Sequence, residues 1–90
     1  MMEIHCIVSG KVQKVAYRYY MQDAAGELKL TGWTRNLTDG TVEVLAQGEL
    51  DILKEFVEYL YEGSLLSKVE GVDIVWRETK EVYEDFSILH

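Results

Sequence analysis

Two segments of the chain repeat their apolar side chains every three or four residues, as one face of an amphipathic helix does. The first segment covers residues 17–29, and its stripe consists of Tyr17, Tyr20, Met21, Ala24, Ala25 and Leu28. The second stripe ends before the stop signal Gly63 and consists of Ile52, Leu53, Phe56, Val57, Leu60 and Tyr61. Each stripe has to be buried, so the rest of the chain must supply a surface that covers two helices.

Segments with a period of two surround the helical segments and predict β-strands. In residues 3–9, apolar and polar side chains alternate until Gly10. Further extended segments occupy residues 31–37, 41–47, 69–77 and, as a short edge strand, 85–89. Asp39-Gly40 separates the second and third strands, and this pair favours a tight turn between antiparallel neighbours.

The resulting order, β-α-β-β-α-β with a short C-terminal strand, is that of the split βαβ or ferredoxin-like fold. This α+β sandwich has an antiparallel sheet with both helices on one face. A length of 90 residues leaves room for one core, and 48% hydrophobic residues are enough to form it, so we expect a single domain over residues 1–90. Many unrelated functions share this architecture, and the function has to be inferred from a site.

The charge distribution argues against nucleic acid as a partner. Phosphate backbones are held by clusters of Lys and Arg, whereas this chain has a net charge of −7. Residues 1–38 nevertheless carry five bases and three acids, and the remainder carries four bases and thirteen acids. This asymmetry is either uneven surface charge alone or a field that draws a small anion toward the N-terminal part.

Other features favour a cytoplasmic monomer. The chain does not open with a basic region followed by an apolar run, and nowhere do about 18 uncharged apolar residues follow one another, so we expect neither export nor a membrane partner. Cys6 is the only cysteine, and its place in an apolar strand favours a buried thiol in a reducing compartment. No heptad pattern indicates an oligomer.

The connection between the first strand and the first helix is the best candidate for a functional site. Its sequence is Gly10-Lys11-Val12-Gln13-Lys14-Val15-Ala16-Tyr17-Arg18. The first amides of a helix have no internal partners and lie at the positive end of the helix dipole, so they can hold a phosphate. Arg18 can add a planar fork of donors that a lysine cannot imitate. Taken alone, however, an arginine at such a position is more often an exposed helix residue.

Two motifs of the chain resemble those of the acylphosphatases. The family pattern G-x-V-Q-G-V-x-[FY]-R is matched by Gly10, Val12, Gln13, Val15, Tyr17 and Arg18. The pattern G-[WY]-x-x-N is matched by Gly32-Trp33-Thr34-Arg35-Asn36. The resemblance covers nearly the whole chain, including its length, both helices, the hairpin and the Ser67-Lys68-Val69 segment at the start of the fourth strand.

The resemblance implies hydrolysis of a small-molecule acyl phosphate to a carboxylate and inorganic phosphate, with no metal ion or organic cofactor. By analogy with the family, Arg18 binds the phosphate and the Asn36 side chain orients a water for in-line attack at phosphorus. The implied phosphate-binding loop comprises Gly10, Lys11, Val12, Gln13, Lys14, Val15 and Ala16. Phosphoryl transfer mainly needs positioning and charge stabilisation, which agrees with so small a set of groups.

Lys14 departs from the family pattern, which has glycine at this position. If the loop requires a positive φ there, a side chain adds roughly 1 to 2 kcal/mol of strain. The backbone donor remains, and the lysine can supply charge to the phosphate dianion. Two outcomes are therefore open: a working enzyme with an altered site, or a catalytically weakened module that still binds phosphate or acyl phosphate.

Other constellations give weaker signals. His5 and Cys6 are neighbours in a strand and face opposite sides, so together with the distant His90 they do not predict a metal site. Neither histidine belongs to a serine-hydrolase signature. An RNA-recognition module has the same order of strands and helices, but the basic-glycine-aromatic RNA-binding signature is absent.

Overall fold

The computed structural model describes all 90 residues, from Met1 to His90. Seven elements follow one another in the predicted order: β1 (Met2–Lys11), α1 (Tyr17–Glu27), β2 (Thr31–Asn36), β3 (Val42–Gly48), α2 (Leu50–Glu62), β4 (Lys68–Glu78) and β5 (Phe86–Leu89). Helix α1 ends before the predicted residue 29, because Lys29 leaves the helical region with a φ of 58°. Neither helix has the length and apolar character that crossing a membrane would need.

The strands form one sheet in the order β4-β1-β3-β2-β5. The first four strands pair antiparallel, as predicted, and β5 joins the free edge of β2 as a parallel neighbour. The path of the chain explains this parallel pair. After β4, the Thr79 amide donates to the Met1 carbonyl and the Gln47 side chain accepts from the Tyr83 amide, so the connection passes the start of β1 and the end of β3. Strand β5 therefore begins at the same edge of the sheet as β2 and runs in the same direction.

The hydrophobic core lies between the helices and the sheet face that they cover. Each strand contributes every second side chain to this face, and Cys6 of β1 lies opposite Val44 and Ile74 in the register. The fully or nearly buried helix residues are Tyr17, Met21, Ala24, Ala25, Leu53, Phe56 and Leu60. The rings of Phe56 and Phe86 meet edge to face at a centroid distance of 6.2 Å, which joins α2 to β5.

Tyr61 does not belong to the buried stripe, so its predicted place in the core is wrong. Its side chain is 54% exposed. The residue lies in the last turn of α2, about 100° around the helix axis from the buried Leu60, and therefore outside the face of the helix that is buried.

Polar side chains cover much of the other face of the sheet. Glu3, Glu43 and Gln47 alternate with core residues in their strands but are themselves nearly buried. Arg77 pairs with Glu3, Arg35 pairs with Glu43, and the Gln47 amide donates to Glu3. Buried carboxylates need such partners, and here they obtain them from neighbouring strands.

The Cys6 thiol is buried, as predicted. Burial raises its pKa to about 12. Because the thiolate is the nucleophilic form, a thiol with so high a pKa is unreactive at neutral pH. The residue therefore serves as a small apolar side chain of the core.

Replacing Phe56 with alanine is expected to lower the free energy of unfolding by about 3 to 5 kcal/mol, because the side chain is fully buried and its removal leaves a cavity between α2 and the sheet. Denaturant unfolding measures this change. Tyr61→Ala in the same helix is the control, and it should alter the free energy by less than about 0.5 kcal/mol. Equal losses in the two variants would contradict the packing described above.

Candidate active site

The predicted site residues gather at one edge of the sheet, here called the upper edge. Strands β1, β2 and β5 end at this edge, β3 and β4 begin there, and α1 starts beside it. The antiparallel order of the strands therefore brings together residues that are far apart in the sequence. They include the segment between β1 and α1, Asn36 and the last residues of the chain.

Residues 12–16 connect β1 to α1 and are called the β1–α1 loop. Gly10 and Lys11, which the sequence motif placed in the same segment, lie inside β1 and pair with β4. The loop is anchored at both ends, because Val12 and Tyr17 are each only 1% exposed. The Tyr17 hydroxyl also donates to the Leu60 carbonyl at 2.8 Å. The residues between these anchors have to turn within a fixed span.

Two non-glycine residues of the loop have a left-handed backbone. The φ of Lys14 is 61°, so the loop does require a positive φ at this position. The expected strain is roughly 1 to 2 kcal/mol. The φ of Ala16 is 60°, which the sequence did not indicate. Ala16 is the N-cap residue of α1, and its side chain cannot accept a hydrogen bond from the helix amides.

The N–H groups of the loop and of the first helical turn are left without backbone acceptors. Tyr20 donates the first helical hydrogen bond, to the Ala16 carbonyl at 3.0 Å, and no amide from Gln13 to Tyr19 donates to another backbone group. The helix dipole is positive at this end. Such a row of unpaired donors at a helix N-terminus is suited to binding a phosphate.

The Gln13 side chain connects the loop to the β2–β3 hairpin. Its Nε2 atom donates to the carbonyls of Leu37 and Thr41, both at 2.8 Å. The Leu37 amide also donates to the Thr41 carbonyl at 2.9 Å, which closes the hairpin. Because Leu37 directly follows Asn36, this bridge fixes the loop relative to Asn36.

Asn36 ends β2 on the face of the sheet that carries the helices. It pairs with Val42, which in turn pairs with Val8, and both valines are buried in the core. Directly opposed residues of antiparallel strands project to the same face. The Asn36 side chain therefore projects to the face on which α1 and Arg18 lie, and it is exposed to solvent.

Arg18 is the second residue of α1 and is partly exposed. Its Nη1 atom donates to the Leu89 carbonyl at 3.4 Å, a long hydrogen bond that leaves the other guanidinium donors free. The partner belongs to β5, at the far end of the chain. No pattern in the sequence indicated this contact.

A cleft of about 490 Å³ opens beside Asn36. Its lining is mostly polar and consists of Arg35, Asn36, Leu37, Thr38, Asp39 and His90. Arg18 and the β1–α1 loop do not line this cleft, so it lies on the Asn36 side of the candidate site. The position of His90 was not expected, since the sequence offered no role for this residue.

Glu43 binds two side chains on the sheet face opposite the one that carries Asn36. Its carboxylate accepts from Arg35 Nε at 2.5 Å and lies 2.6 Å from His5 Nε2. The Arg35 guanidinium also lies over the Trp33 ring, 5.3 Å from its centroid. Burial alone would raise the pKa of Glu43, but the hydrogen bonds from His5 and Arg35 outweigh it and lower the pKa. The carboxylate is thus charged at neutral pH and fixes the Arg35 side chain on the outer face of the sheet.

Comparison with known proteins establishes the family. A model of the acylphosphatase family matches residues 4–88, nearly the whole chain. The chain belongs to the acylphosphatase family. The resemblance drawn from the two sequence motifs is thereby confirmed, whereas the roles of individual residues stay predictions.

Individual acylphosphatases agree with this chain in sequence and in fold. The acylphosphatase of Bacillus licheniformis is 44% identical, over 98% of both chains. The crystal structure of the acylphosphatase from Bacillus subtilis matches with a TM-score of 0.97 at 40% identity and covers 100% of both chains. An acylphosphatase structure from Coxiella burnetii matches with a TM-score of 0.88 at 43% identity, covering 98% of this chain and 92% of that one. The predicted ferredoxin-like fold is therefore confirmed.

Replacing Lys14 with glycine is expected to raise the free energy of unfolding by about 0.5 to 1 kcal/mol. The substitution removes the left-handed strain, and the greater freedom of glycine in the unfolded chain offsets part of the gain. Lys11→Gly in β1 is the control; it should lower the free energy of unfolding by a similar amount, because this lysine has an ordinary strand backbone. Destabilisation by both variants would show that position 14 is not strained.

Replacing Glu43 with glutamine is expected to lower the free energy of unfolding at pH 7 by about 1 kcal/mol, since two charge-assisted hydrogen bonds are weakened. A carboxyl with a lowered pKa stabilises the fold above its unfolded pKa, near 4.5, and this contribution is lost as the pH falls through the folded value. Unfolding of both proteins between pH 7 and pH ~3 should therefore show a shrinking difference. The exposed Glu58→Gln should show no such trend.

Proposed function

We propose that this chain hydrolyses the carboxyl-phosphate bond of small acyl phosphates, with Arg18 and the loop amides as phosphate ligands and Asn36 as the residue that orients the water. The row of unpaired amides from Gln13 to Tyr19, with the Arg18 guanidinium in the same helical turn, carries this proposal. Membership of the acylphosphatase family supports it independently.

The phosphate is bound mainly by backbone donors. Amides of the β1–α1 loop and the first turn of α1 donate to its oxygens, and Arg18 contributes a charged fork to two of them. The donors are held in place before the substrate arrives, by the anchors Val12 and Tyr17 and by the Gln13 bridge. Donors fixed in this way stabilise charge on the equatorial oxygens without having to reorganise during the reaction.

The Asn36 amide positions the attacking water. Its carbonyl oxygen can accept a hydrogen bond from the water while its NH₂ group donates to the water or to a phosphate oxygen. The water oxygen bonds to phosphorus as the bond from phosphorus to the acyl oxygen breaks, and the electron pair leaves on the carboxylate. One water proton passes to a phosphate oxygen, so the products are a carboxylate and dihydrogen phosphate. Because a carboxylate is a good leaving group, the step requires no general acid.

We further propose that the enzyme works as a cytoplasmic monomer without a metal ion, organic cofactor or nucleic-acid partner. Every group assigned to the reaction comes from one chain. The buried thiol of Cys6 fits a reducing compartment. The net charge of −7 disfavours binding to nucleic acid.

Replacing Arg18 or Asn36 with alanine is expected to lower kcat for benzoyl phosphate by about 10²- to 10³-fold, because each change removes a group that acts on the transition state. Hydrolysis is followed with the purified protein in excess chelator, so that the same assay tests independence from metal ions. Arg18→Lys should remain strongly impaired, since an ammonium group cannot reproduce the planar fork.

Lys54→Ala, which removes a lysine on the exposed side of α2, is the control and should retain the full rate. Turnover that survives in both Arg18→Ala and Asn36→Ala would refute the assigned roles. Binding of phosphate without turnover by the unmodified protein would instead support the second candidate, a catalytically weakened module. The left-handed backbone of Lys14 is the observation that favours this alternative.

A further inference from the structure

The turn between α2 and β4 contacts the β1–α1 loop. Gly63 ends α2 with a φ of 73°, and a side chain at this position would place its Cβ only 2.3 Å from Ser67 Oγ. The Ser67 amide and hydroxyl both donate to the Ser64 carbonyl, at 3.0 and 2.8 Å, which closes a β-turn. The Ser64 hydroxyl donates outward, to the Val15 carbonyl at 2.7 Å. This turn is therefore a fixed support that reaches the loop through one hydroxyl group.

We propose that Ser64 is a positioning residue for phosphate binding: its hydroxyl sets the orientation of the Ala16 amide in the β1–α1 loop. The inference rests on the proposed function, in which that amide is one of the phosphate ligands. Ser64 does not contact the substrate itself and acts only through the peptide unit between Val15 and Ala16.

Peptide geometry transmits the effect. In a planar trans peptide the carbonyl and the N–H group point in opposite directions, and the chain contains no cis peptide bond. The hydrogen bond that draws the Val15 carbonyl toward Ser64 therefore directs the Ala16 N–H away from the turn. This N–H belongs to the row of amides that lack a backbone acceptor.

The same peptide unit needs support because it directly precedes the left-handed Ala16 and is separated from the left-handed Lys14 only by Val15. Lys14 and Ala16 have φ values of 61° and 60°. A return of either residue to a preferred backbone region would rotate the Val15–Ala16 peptide relative to the rest of the loop and turn its N–H elsewhere. Gln13 fastens the hairpin side of the loop, whereas the Ser64 hydroxyl is the side-chain group that is hydrogen-bonded to this peptide unit.

Two serines of the same turn offer a matched comparison. Ser64→Ala and Ser67→Ala each remove one hydroxyl and one hydrogen bond, of 2.7 and 2.8 Å, but only Ser64 reaches the loop. The dissociation constant of inorganic phosphate is measured by calorimetry for both variants and for the unmodified protein. KM and kcat for benzoyl phosphate and the free energy of unfolding are measured alongside.

Ser64→Ala is expected to weaken phosphate binding and to raise KM by roughly 3- to 10-fold, the range of a single hydrogen bond. Ser67→Ala should lose a similar amount of stability and keep the phosphate affinity of the unmodified protein. Ser64→Thr retains a hydroxyl and should restore most of the affinity. In the unmodified protein, the ¹⁵N–¹H signal of Ala16 should shift when phosphate is added.

Unchanged phosphate affinity in Ser64→Ala would overturn the proposal. An equal loss of phosphate affinity in Ser67→Ala would also overturn it, because the stability of the turn would then be the cause. An Ala16 signal that does not respond to phosphate would overturn it without any variant. Phosphate binding is measured separately from turnover, so failure of the proposed function can be told apart from failure of the Ser64 proposal. In that case the unmodified protein would bind phosphate but would not hydrolyse benzoyl phosphate.

Discussion

Strand β1 is paired on both sides, and the point at which this pairing becomes irregular determines where the site lies. The register with β4 shifts between Ser9 and Gly10, and Gly10 has a φ of 114°. A Cβ at this position would lie 2.1 Å from the Lys68 carbonyl oxygen, so only glycine allows the two backbones to approach so closely. Glu70 of β4 is the extra residue at this shift, because Ser9 pairs with Gly71 and Gly10 pairs with Val69. Such an irregularity increases the local twist of the two strands just before β1 ends at Lys11. The chain then leaves the sheet beside the start of α1, and the unpaired amides and the Gln13 bridge depend on that exit.

The start of α1 gives up stability to keep its donors available. A serine or aspartate as N-cap would accept from the first amides and stabilise the helix by about 1 kcal/mol. Ala16 leaves those amides unpaired, and its own left-handed backbone adds strain. Hydrogen bonds to neighbouring elements compensate for this strain. The Tyr17 hydroxyl donates to the Leu60 carbonyl, and the side-chain Nε2 of Gln13 donates to two carbonyls of the hairpin. The site is thus a strained segment stabilised from outside, and the sequence of the segment alone does not show why it keeps its shape.

The difference between local sequence patterns and contacts from distant residues explains how much of the structure the sequence could predict. The order of the elements and the core follow from the local periodicity of apolar residues. This periodicity is clear in α2, where only Tyr61 of the predicted stripe is exposed. The left-handed backbone at Lys14 could be foreseen because the family pattern has glycine there, whereas alanine at position 16 gives no comparable signal. The parallel pairing of β5, the contact of Arg18 with Leu89 and the support from Ser64 join residues far apart in the chain. Such contacts depend on the packed fold, and no local pattern of residues encodes them.

Lys14 fits this site better than its departure from the family pattern suggests. In the proposed mechanism the loop binds phosphate through backbone N–H groups, which lysine supplies as well as glycine does, so the substitution changes strain and charge but removes no donor. The chain has a net charge of −7, and its acidic part, residues 39–90, repels a phosphate dianion. Screening confines that repulsion to about 8 Å at physiological salt, whereas the exposed Lys14 and the partly exposed Arg18 place two positive charges in and directly after the loop. If phosphate binds here as proposed, attraction between Lys14 and the anion favours the complex despite the backbone strain, and the contacts from Gln13 and Ser64 hold the loop in the strained conformation.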